Sequence, residues 1–266
     1  DCSRREISKR VCIAWGWTQQ NGTLRDMVCR SLLLLLHRAG RIELPPQRCR
    51  PVNNVVIRRR PTPLPQDLDQ TPIETGLAEL GELDWRQVRG TADAGLVHSL
   101  LAAHHYLGAP RLVGEHLEFL VLAQGRPIAC FAWSSPPHKL NPRDHFIGWS
   151  QAARDHNRHL IAYNPRFLIL PWVKVKHLAS HLLGYMARVL PKEWQRVYGH
   201  EVCYLETFVD SERFAGTCYK AANWIVLGKT TGRGNNAPTY EQTRSIKEVL
   251  GLPLTRDFRE RLGRLP

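Results

Sequence analysis

The length, composition and charge of this chain exclude several classes of protein. With 266 residues, 43% of them hydrophobic and 23% charged, the chain is long and apolar enough to bury a core, which excludes wholesale disorder. A net charge of +13 argues against an acidic or neutral partner and favours a polyanion such as nucleic acid. A merely basic soluble protein is the alternative.

The positive charge is concentrated at the two ends of the chain. Residues 1–60 carry 13 basic and four acidic side chains, whereas residues 61–84 carry six acidic side chains and no basic one. Residues 85–228 carry 16 basic and ten acidic side chains, and residues 229–266 carry eight and four. We therefore expect the two ends of the chain to contact the polyanion, with an acidic spacer between the first end and the middle of the chain.

The cysteines and the apolar runs indicate a cytoplasmic protein that does not enter a membrane. The seven cysteines form no C-x-x-C pair and are odd in number, which argues against a disulfide framework or a zinc knuckle. The apolar run at residues 32–36 is far too short to cross a bilayer.

Residues 1–48 predict a small basic unit of two helices and a strand. Residues 3–6 (SRRE) match a capping box, in which the serine hydroxyl caps a helix and the glutamate reaches back. A second helical run follows over residues 24–37, and residues 41–45 are typical of a short strand. This order resembles a helix-turn-helix or winged-helix-like unit.

Two arginines of this unit are candidate nucleic-acid contacts. We expect Arg25 and Arg30 on the exposed side of the second helix, where guanidinium groups could meet phosphates or base edges. The alternative is that the unit is a small helical cap on the next domain.

Residues 49–84 are rich in proline and predict a linker or arm. Proline lacks the backbone N–H that regular pairing requires, so a stretch of this kind is extended. Arg58, Arg59 and Arg60 lie within it and could follow a phosphate backbone, or they could simply be solvated.

Residues 85–266 predict a domain of mixed helices and strands with a basic C-terminal tail. The expected elements are a strand at 85–89, a helix at 91–106, a hairpin of strands 117–123 and 127–133, a helix at 150–158, a strand at 165–173, a helix at 177–190, a strand at 202–210, a helix at 211–223, a strand at 224–228 and a basic helix at 256–262. This order resembles the GNAT-like arrangement of N-acyltransferases. The expected fold class is therefore α+β, a winged-helix-like unit followed by a GNAT-like mixed β-sheet domain.

The segment that would bind a pyrophosphate in such a fold departs from the usual pattern. Residues 174–179 (KVKHLA) contain no glycine, whereas a pyrophosphate loop needs glycines for backbone amides to approach phosphate. This departure argues against coenzyme A as a ligand, because a shared fold does not carry function with it.

Several longer strings resemble one family. They are residues 113–117 (VGEHL), 146–149 (FIGW), 164–171 (NPRFLILP), 206–210 (ETFVD) and 219–233 (YKAANWIVLGKTTGR). Together they resemble the DruA family, named after the Druantia anti-phage defence system, whose relatives accompany mobile elements and are often labelled transposases. The resemblance implies action on DNA in phage defence or transposition, with other defence-system or transposon proteins as partners.

The catalytic candidates lie around residues 204–219. Glu206 and Asp210 share one face of the predicted strand, roughly 13 Å apart, and could bind Mg²⁺ or Mn²⁺ for cleavage or strand transfer on DNA. The alternative is structural, with Glu206 accepting from Arg166 or Asn164. Tyr219 could be a nucleophile for a DNA phosphate, although a half-buried helix tyrosine is the commoner case.

Further nucleic-acid contacts are predicted on either side of this strand. Trp149, Arg154, Asn164 and Arg166 could stack an unpaired base and hold backbone oxygens, or they could form the hydrogen-bonded rim of a core. Residues 228–234 could hold a phosphate in a backbone nest with Lys229 and Arg233, or form only a turn.

Three functions stay open on the sequence. They are a DNA-cutting or DNA-joining enzyme, a non-catalytic DNA-binding module that recruits a partner enzyme, and an acyltransferase. The sequence leaves the oligomeric state and the preferred DNA undetermined.

Overall fold

The structure is a computed structural model that describes residues 3–19, 22–46, 64, 68–232, 242 and 244–265. The chain divides into two compact units, residues 1–60 and residues 61–266. Its helices are α1 (Arg4–Ala14), α2 (Asp26–Arg38), α3 (Ala94–His104), α4 (Asn141–Ile147), α5 (Gln151–Asn157), α6 (Leu178–Tyr198), α7 (Thr217–Ala221) and α8 (Phe258–Gly263). Its strands are β1 (Ile73–Thr75), β2 (Leu83–Gln87), β3 (His116–Ala123), β4 (Arg126–Ser134), β5 (Ile161–Ile169), β6 (Val173–Val175), β7 (Tyr204–Asp210), β8 (Ile225–Lys229) and β9 (Lys247–Pro253).

The first unit is a hairpin of two helices. The predicted cap of α1 is confirmed, because the Ser3 hydroxyl accepts the Glu6 amide at 3.2 Å. Helices α1 and α2 pack against each other, and the thiols of Cys12 and Cys29 are buried in this unit. Burial raises the pKa of the Cys29 thiol, and its hydrogen bond with Cys12 adds to the effect.

The strand predicted at residues 41–45 is not formed, so a winged helix is not confirmed in the described residues. This segment folds back on α2 instead, where the His37 ring contacts the Ile42 carbonyl at 3.1 Å and accepts the Leu44 amide at 3.3 Å. The carbonyl of Pro45 accepts Arg4 Nε at 2.7 Å. A strand requires a partner strand, and the described part of this unit offers only the isolated bridge between residues 18 and 24.

The second unit is built on a mixed seven-stranded sheet with the order β2-β3-β4-β5-β7-β9-β8. Neighbouring strands are antiparallel, except for β5 and β7, which run parallel. The short strands β1 and β6 pair in parallel as a separate sheet. The α+β fold class is therefore confirmed, and so is the predicted hairpin, whose turn residues Gln124 and Gly125 both have positive φ.

Two apolar clusters lie on opposite sides of β7. Leu205 and Val209 belong to the main core, which α6 joins through residues such as Trp194. Tyr204 belongs to a smaller cluster that includes Ile147 of α4 and Phe258 of α8. Side chains alternate along a strand, so β7 is covered on both faces and its acidic residues need partners inside the protein.

Several predicted boundaries differ from the structure. The described residues 68–84 of the expected linker are folded: β1 pairs with β6, and Leu80 is buried because this stretch carries enough apolar side chains to pack. The strand expected at residues 165–173 begins at Ile161 and is interrupted before β6. The helix expected at residues 211–223 shrinks to α7, because residues 210–214 form a turn.

Besides β1, two further elements were not predicted. Helix α4 lies in what the sequence predicts to be a polar loop, and β9 lies in the predicted basic tail. Strand β9 pairs with β7 along its whole length, so the tail forms part of the sheet rather than an extension of it.

Candidate nucleic-acid interface

The sheet opens into a fork between its two parallel strands. Residues 161–164 of β5 pair with residues 204–207 of β7, and the pairing ends there. Beyond this point β5 continues beside β4, while β7 continues beside β9. The two strands therefore separate at Asn164 and Thr207.

Asn164 holds the closed end of the fork. Its Nδ2 donates to the carbonyls of Ala132 at 2.8 Å and Arg166 at 2.9 Å, and its own carbonyl accepts the Thr207 hydroxyl at 2.9 Å. Its Oδ1 accepts the Tyr219 hydroxyl at 3.0 Å. The Asn164 side chain is buried and fully engaged, so it serves the fold rather than a nucleic-acid contact.

The position of Tyr219 does not suit the predicted nucleophile. Its side chain is buried between the rings of Phe167 and Trp224. Burial raises the pKa of the Tyr219 phenol well above its ordinary value, although the Thr207 hydroxyl acts in the opposite direction. A phenol that stays protonated inside the core cannot reach a DNA phosphate, and we therefore do not retain Tyr219 as catalytic.

A register shift in β5 brings Arg166 to the open side of the fork. Ser134 pairs with Tyr163 and Ala132 pairs with Arg166. The paired residues are therefore two positions apart on β4 and three positions apart on β5. The extra residue places Tyr163 and Arg166 on the same face of the sheet. The ring of Phe208 on β7 lies 4.9 Å from that of Tyr163, on this same face.

Arg166 fastens the loop after α3 to the end of β5. Its Nε donates to the Gly108 carbonyl at 2.7 Å and its Nη2 to the Leu107 carbonyl at 3.3 Å. The same loop contacts the chain that follows β7, since the Tyr106 ring lies 5.3 Å from the Phe214 ring and 5.2 Å from the Arg213 guanidinium. The loop therefore spans the two arms of the fork.

We call the resulting set of side chains the fork surface. It consists of Tyr106, Arg166, Asp210, Arg213, Phe214 and Lys247. Two rings of this surface are open to solvent, Tyr106 at 38% and Phe214 at 51% exposure. Its acidic member is Asp210, which accepts the Ser245 hydroxyl at 2.9 Å and lies opposite Lys247 in the strand register.

The fork surface is short of negative charge. Within the described residues, Arg166, Arg213 and Lys247 form no ion pair with a carboxylate. Burial lowers the pKa of Arg166 and of Lys247. The Asp210 carboxylate opposes the shift of Lys247, whereas the positive charges of Arg166 and Arg244 add to it. The pKa of the adjacent His105 falls to about 4, first through burial and then through Arg166 and Lys247. An anion placed here would relieve the repulsion between these cations.

Glu206 belongs to a separate and fully buried network. Arg143 of α4 lies 3.2 Å from the Glu206 carboxylate, and neither side chain is exposed. The same guanidinium lies 2.8 Å from Asp144 and donates to the Pro137 carbonyl at 3.1 Å. Burial raises the pKa of Glu206 to about 7, although Arg143 opposes the shift.

Two predicted nucleic-acid contacts belong to this network. Trp149 Nε1 donates to Asp144 at 3.1 Å, and Arg154 Nη1 lies 3.4 Å from the same carboxylate. The Arg143 guanidinium also lies 5.5 Å from the Trp149 ring centroid. Both side chains are thus committed to Asp144, as in the alternative of a hydrogen-bonded rim. Arg143 was missed because a lone arginine in a proline-rich stretch has no distinguishing pattern.

The metal site expected at Glu206 and Asp210 has no support in the geometry. The two carboxylates do share a face of β7, but Glu206 engages Arg143 and Asp210 engages Ser245. No group of three or more His, Cys, Asp or Glu side chains in the described part of the chain could hold a metal ion.

The remaining candidates are placed as follows. Arg25 is exposed just before α2, and Arg30 is half-buried, 3.5 Å from Asp26. Lys229 is exposed at the end of β8. Gly232 has a positive φ, and its carbonyl accepts the Arg244 amide at 2.8 Å. The other predicted contacts, Arg58, Arg59, Arg60 and Arg233, lie outside the described residues.

The described residues contain no candidate membrane-spanning helix. None of their helices combines the length and the apolar character that a membrane span requires.

A family model and several solved structures resemble this chain. The family model described as "Druantia protein DruA" matches residues 69–251. No curated protein matches the chain significantly.

The similar solved structures include acetyltransferases. A GNAT-family acetyltransferase from Streptococcus pneumoniae is 15% identical with a TM-score of 0.41, over 65% of this chain and 99% of that one. The polyamine N-acetyltransferase of Drosophila melanogaster is 13% identical with a TM-score of 0.41, over 65% of this chain and 100% of that one. An N-acetyltransferase from Staphylococcus aureus Mu50 is 9% identical with a TM-score of 0.40, over 65% and 99%. The first of these is described as a GNAT-family enzyme, the type expected from the element order, and likeness at this level supports no inference about activity.

Proposed function

Because the chain belongs to the DruA family, we propose that it binds DNA as a non-catalytic component of an anti-phage defence system and recruits a partner enzyme to that DNA. The fork surface is its principal contact. The observation that carries the proposal is the convergence of two exposed rings and three cations where the sheet opens.

Electrostatics favour a phosphate backbone as the ligand of this surface. Arg213 and Lys247 form no ion pair within the described residues, so their side chains can contact a partner. Arg166 donates to backbone carbonyls from all three guanidinium nitrogens and adds its positive charge to the surface. The whole chain carries +13, and a DNA backbone offers closely spaced anions whose counterions are released on binding. Arg25 at the exposed start of α2 gives the first unit a basic contact of its own.

The burial of Glu206 favours binding of DNA over its cleavage. The Glu206 carboxylate is buried against Arg143, and a metal ion placed there would face a guanidinium. Cleavage or strand transfer with Mg²⁺ or Mn²⁺ is therefore the less favoured candidate. An acyltransferase is disfavoured by residues 174–179, which contain no glycine for a pyrophosphate.

The proposal is tested by measuring DNA affinity as a function of salt. Wild-type protein is titrated with labelled single- and double-stranded DNA over a range of KCl concentrations. Each phosphate contact adds about 0.7 to 0.9 to the slope of log affinity against log salt, so Arg213→Ala and Lys247→Gln should each flatten the slope by about that amount. Arg188→Ala is the matched control, because Arg188 is exposed and lies over a tyrosine ring as Arg213 does, 5.7 Å from Tyr185.

Three results would contradict the proposal. An absence of binding at low salt would rule out a role on DNA. A cleaved or joined product with Mg²⁺ or Mn²⁺ would show an enzyme. Measurable affinity for acetyl-coenzyme A, with none for DNA, would favour the acyltransferase.

A further inference from the structure

We infer that the fork surface captures an unpaired nucleotide of single-stranded DNA, with the base stacked on Phe214 and the adjoining phosphate held by Arg213 and Lys247. This inference rests on the DNA binding proposed above and names the form of DNA that the surface recognises.

The first support is the exposure of two touching rings. Among the Phe, Tyr and Trp side chains described in residues 61–266, the exposed ones are Tyr106 at 38% and Phe214 at 51%. Their ring centroids lie 5.3 Å apart with the planes tilted by 59°. The other aromatic rings described in this unit are at least partly buried, so the pair is the exposed aromatic contact of the fork surface.

The second support is that the rings are held in place. His105 stacks on the Tyr106 ring at 4.8 Å, and Arg166 anchors the same loop through the carbonyls of Leu107 and Gly108. The turn that carries Phe214 is closed by hydrogen bonds from the Arg213 and Phe214 amides to the Asp210 carbonyl. A platform held from both sides loses little conformational entropy when a base stacks on it.

The third support is the position of the cations beside the rings. Arg213 directly precedes Phe214, and its guanidinium lies 5.2 Å from the centroid of the Tyr106 ring. Lys247 lies opposite Asp210 in the strand register, and Asp210 precedes Phe214 by four residues along the chain. A nucleotide requires an apolar face and a cation close to each other, and this surface supplies both.

The same arrangement disfavours a duplex as the specific ligand. In double-stranded DNA the faces of the bases are stacked within the helix, so only edges and phosphates are available. A duplex could use Arg213 and Lys247 but would leave the rings of Tyr106 and Phe214 without a partner. Discrimination between the two forms of DNA should therefore depend on the rings.

The test compares single-stranded and duplex DNA of one sequence with ring variants. Phe214→Ala should weaken binding of the single strand about tenfold, since stacking on one aromatic ring has about that value, and should leave duplex binding within about twofold. Phe214→Leu keeps an apolar contact without the aromatic face and should behave like Phe214→Ala. Phe214→Trp should retain the affinity for the single strand.

Two controls accompany these variants. Val113→Ala removes a side chain that is 66% exposed and should change neither affinity. A single strand containing 2-aminopurine should lose fluorescence on binding the wild type, because the base stacks on a ring, and should lose less on binding Phe214→Ala.

The outcomes separate this inference from the proposed function. If the wild type binds no DNA at low salt, the proposed function fails and the inference fails with it. If the wild type binds DNA and the Phe214 variants leave the ratio of single-strand to duplex affinity unchanged, the inference alone is overturned. An equal loss for both forms would assign Phe214 to the fold and would also overturn it.

Discussion

The Arg143 guanidinium on α4 lies 3.2 Å from the Glu206 carboxylate on β7, and both side chains are completely buried. The pair connects a short helix to a central strand 63 residues further along the chain. A buried charge requires an opposite charge and hydrogen bonds, and Arg143 obtains both from Glu206, Asp144 and the Pro137 carbonyl. These contacts favour a structural role for Glu206, which the sequence marks as a catalytic candidate.

Removing the cation of this pair should destabilise the protein strongly. Arg143→Met leaves the Glu206 carboxylate without its buried counter-charge, whereas Asp144 keeps Arg154 at 3.4 Å. We therefore expect a loss of about 3 to 5 kcal/mol in the free energy of unfolding. Urea denaturation followed by circular dichroism measures this change. Arg188→Met, an exposed arginine without an ion pair among the described residues, should stay within about 0.5 kcal/mol of the wild type. A small change for Arg143→Met would show that the pair has little structural importance.

The pKa of Glu206 predicts a pH dependence of stability with a defined sign. Burial raises this pKa from an ordinary value of 4.5 to about 7, so the folded protein binds a proton more tightly than the unfolded chain. The resulting stabilisation is fully present below about pH 4.5 and is lost as the pH rises through about 7. Glu206→Gln removes this dependence. The stability of the wild type relative to Glu206→Gln should therefore fall between these pH values and stay constant above them, and a flat difference would contradict the shift.

The role of Tyr219 can be tested by removing its hydroxyl group. Tyr219→Phe removes the hydroxyl that donates to Asn164 at 3.0 Å, which should cost about 1 kcal/mol in the free energy of unfolding. Because the hydroxyl is buried, the DNA affinity should not change. If instead wild-type protein forms a covalent adduct with DNA and Tyr219→Phe does not, the tyrosine is a nucleophile after all.

Gly251 allows β9 to lie beside Tyr204. A Cβ atom at position 251 would overlap the Tyr204 hydroxyl, with the ring carbon Cζ at 2.6 Å and Leu227 Cδ1 at 3.0 Å. These neighbours are held within the sheet, so Gly251→Ala should destabilise the protein by about 1 to 3 kcal/mol through overpacking. Gly263→Ala is the control, since nothing lies within 4 Å of its added Cβ. Thermal unfolding of the two variants should show a large decrease only for Gly251→Ala.

Much of the local structure could be predicted from the sequence. Ser3 caps α1 as its spacing with Glu6 indicates, because a capping box involves neighbours three residues apart. Gln124 and Gly125 make the hairpin turn, and Glu206 and Asp210 share a face because alternation along a strand is a local property. The DruA resemblance, which depends on local strings, is confirmed by the family match.

The partners of these side chains could not be predicted in the same way. Whether Glu206 contacts a metal ion or a guanidinium depends on the position of α4. This helix has seven residues and contains a proline, so it shows no periodicity from which its position could be predicted. The same holds for β9, whose place beside β7 is set by strand pairing rather than by its own pattern.

The amino-acid sequence by itself determined the basic charge, the α+β class and the family, since these depend on composition and on short-range order. Only the tertiary structure decided that Glu206 is neutralised by Arg143 and that Tyr106 and Phe214 meet beside Arg213. The reason is that the register of β5 and β7 ends at Asn164, and the separation of the two strands brings residues from distant parts of the chain to one surface.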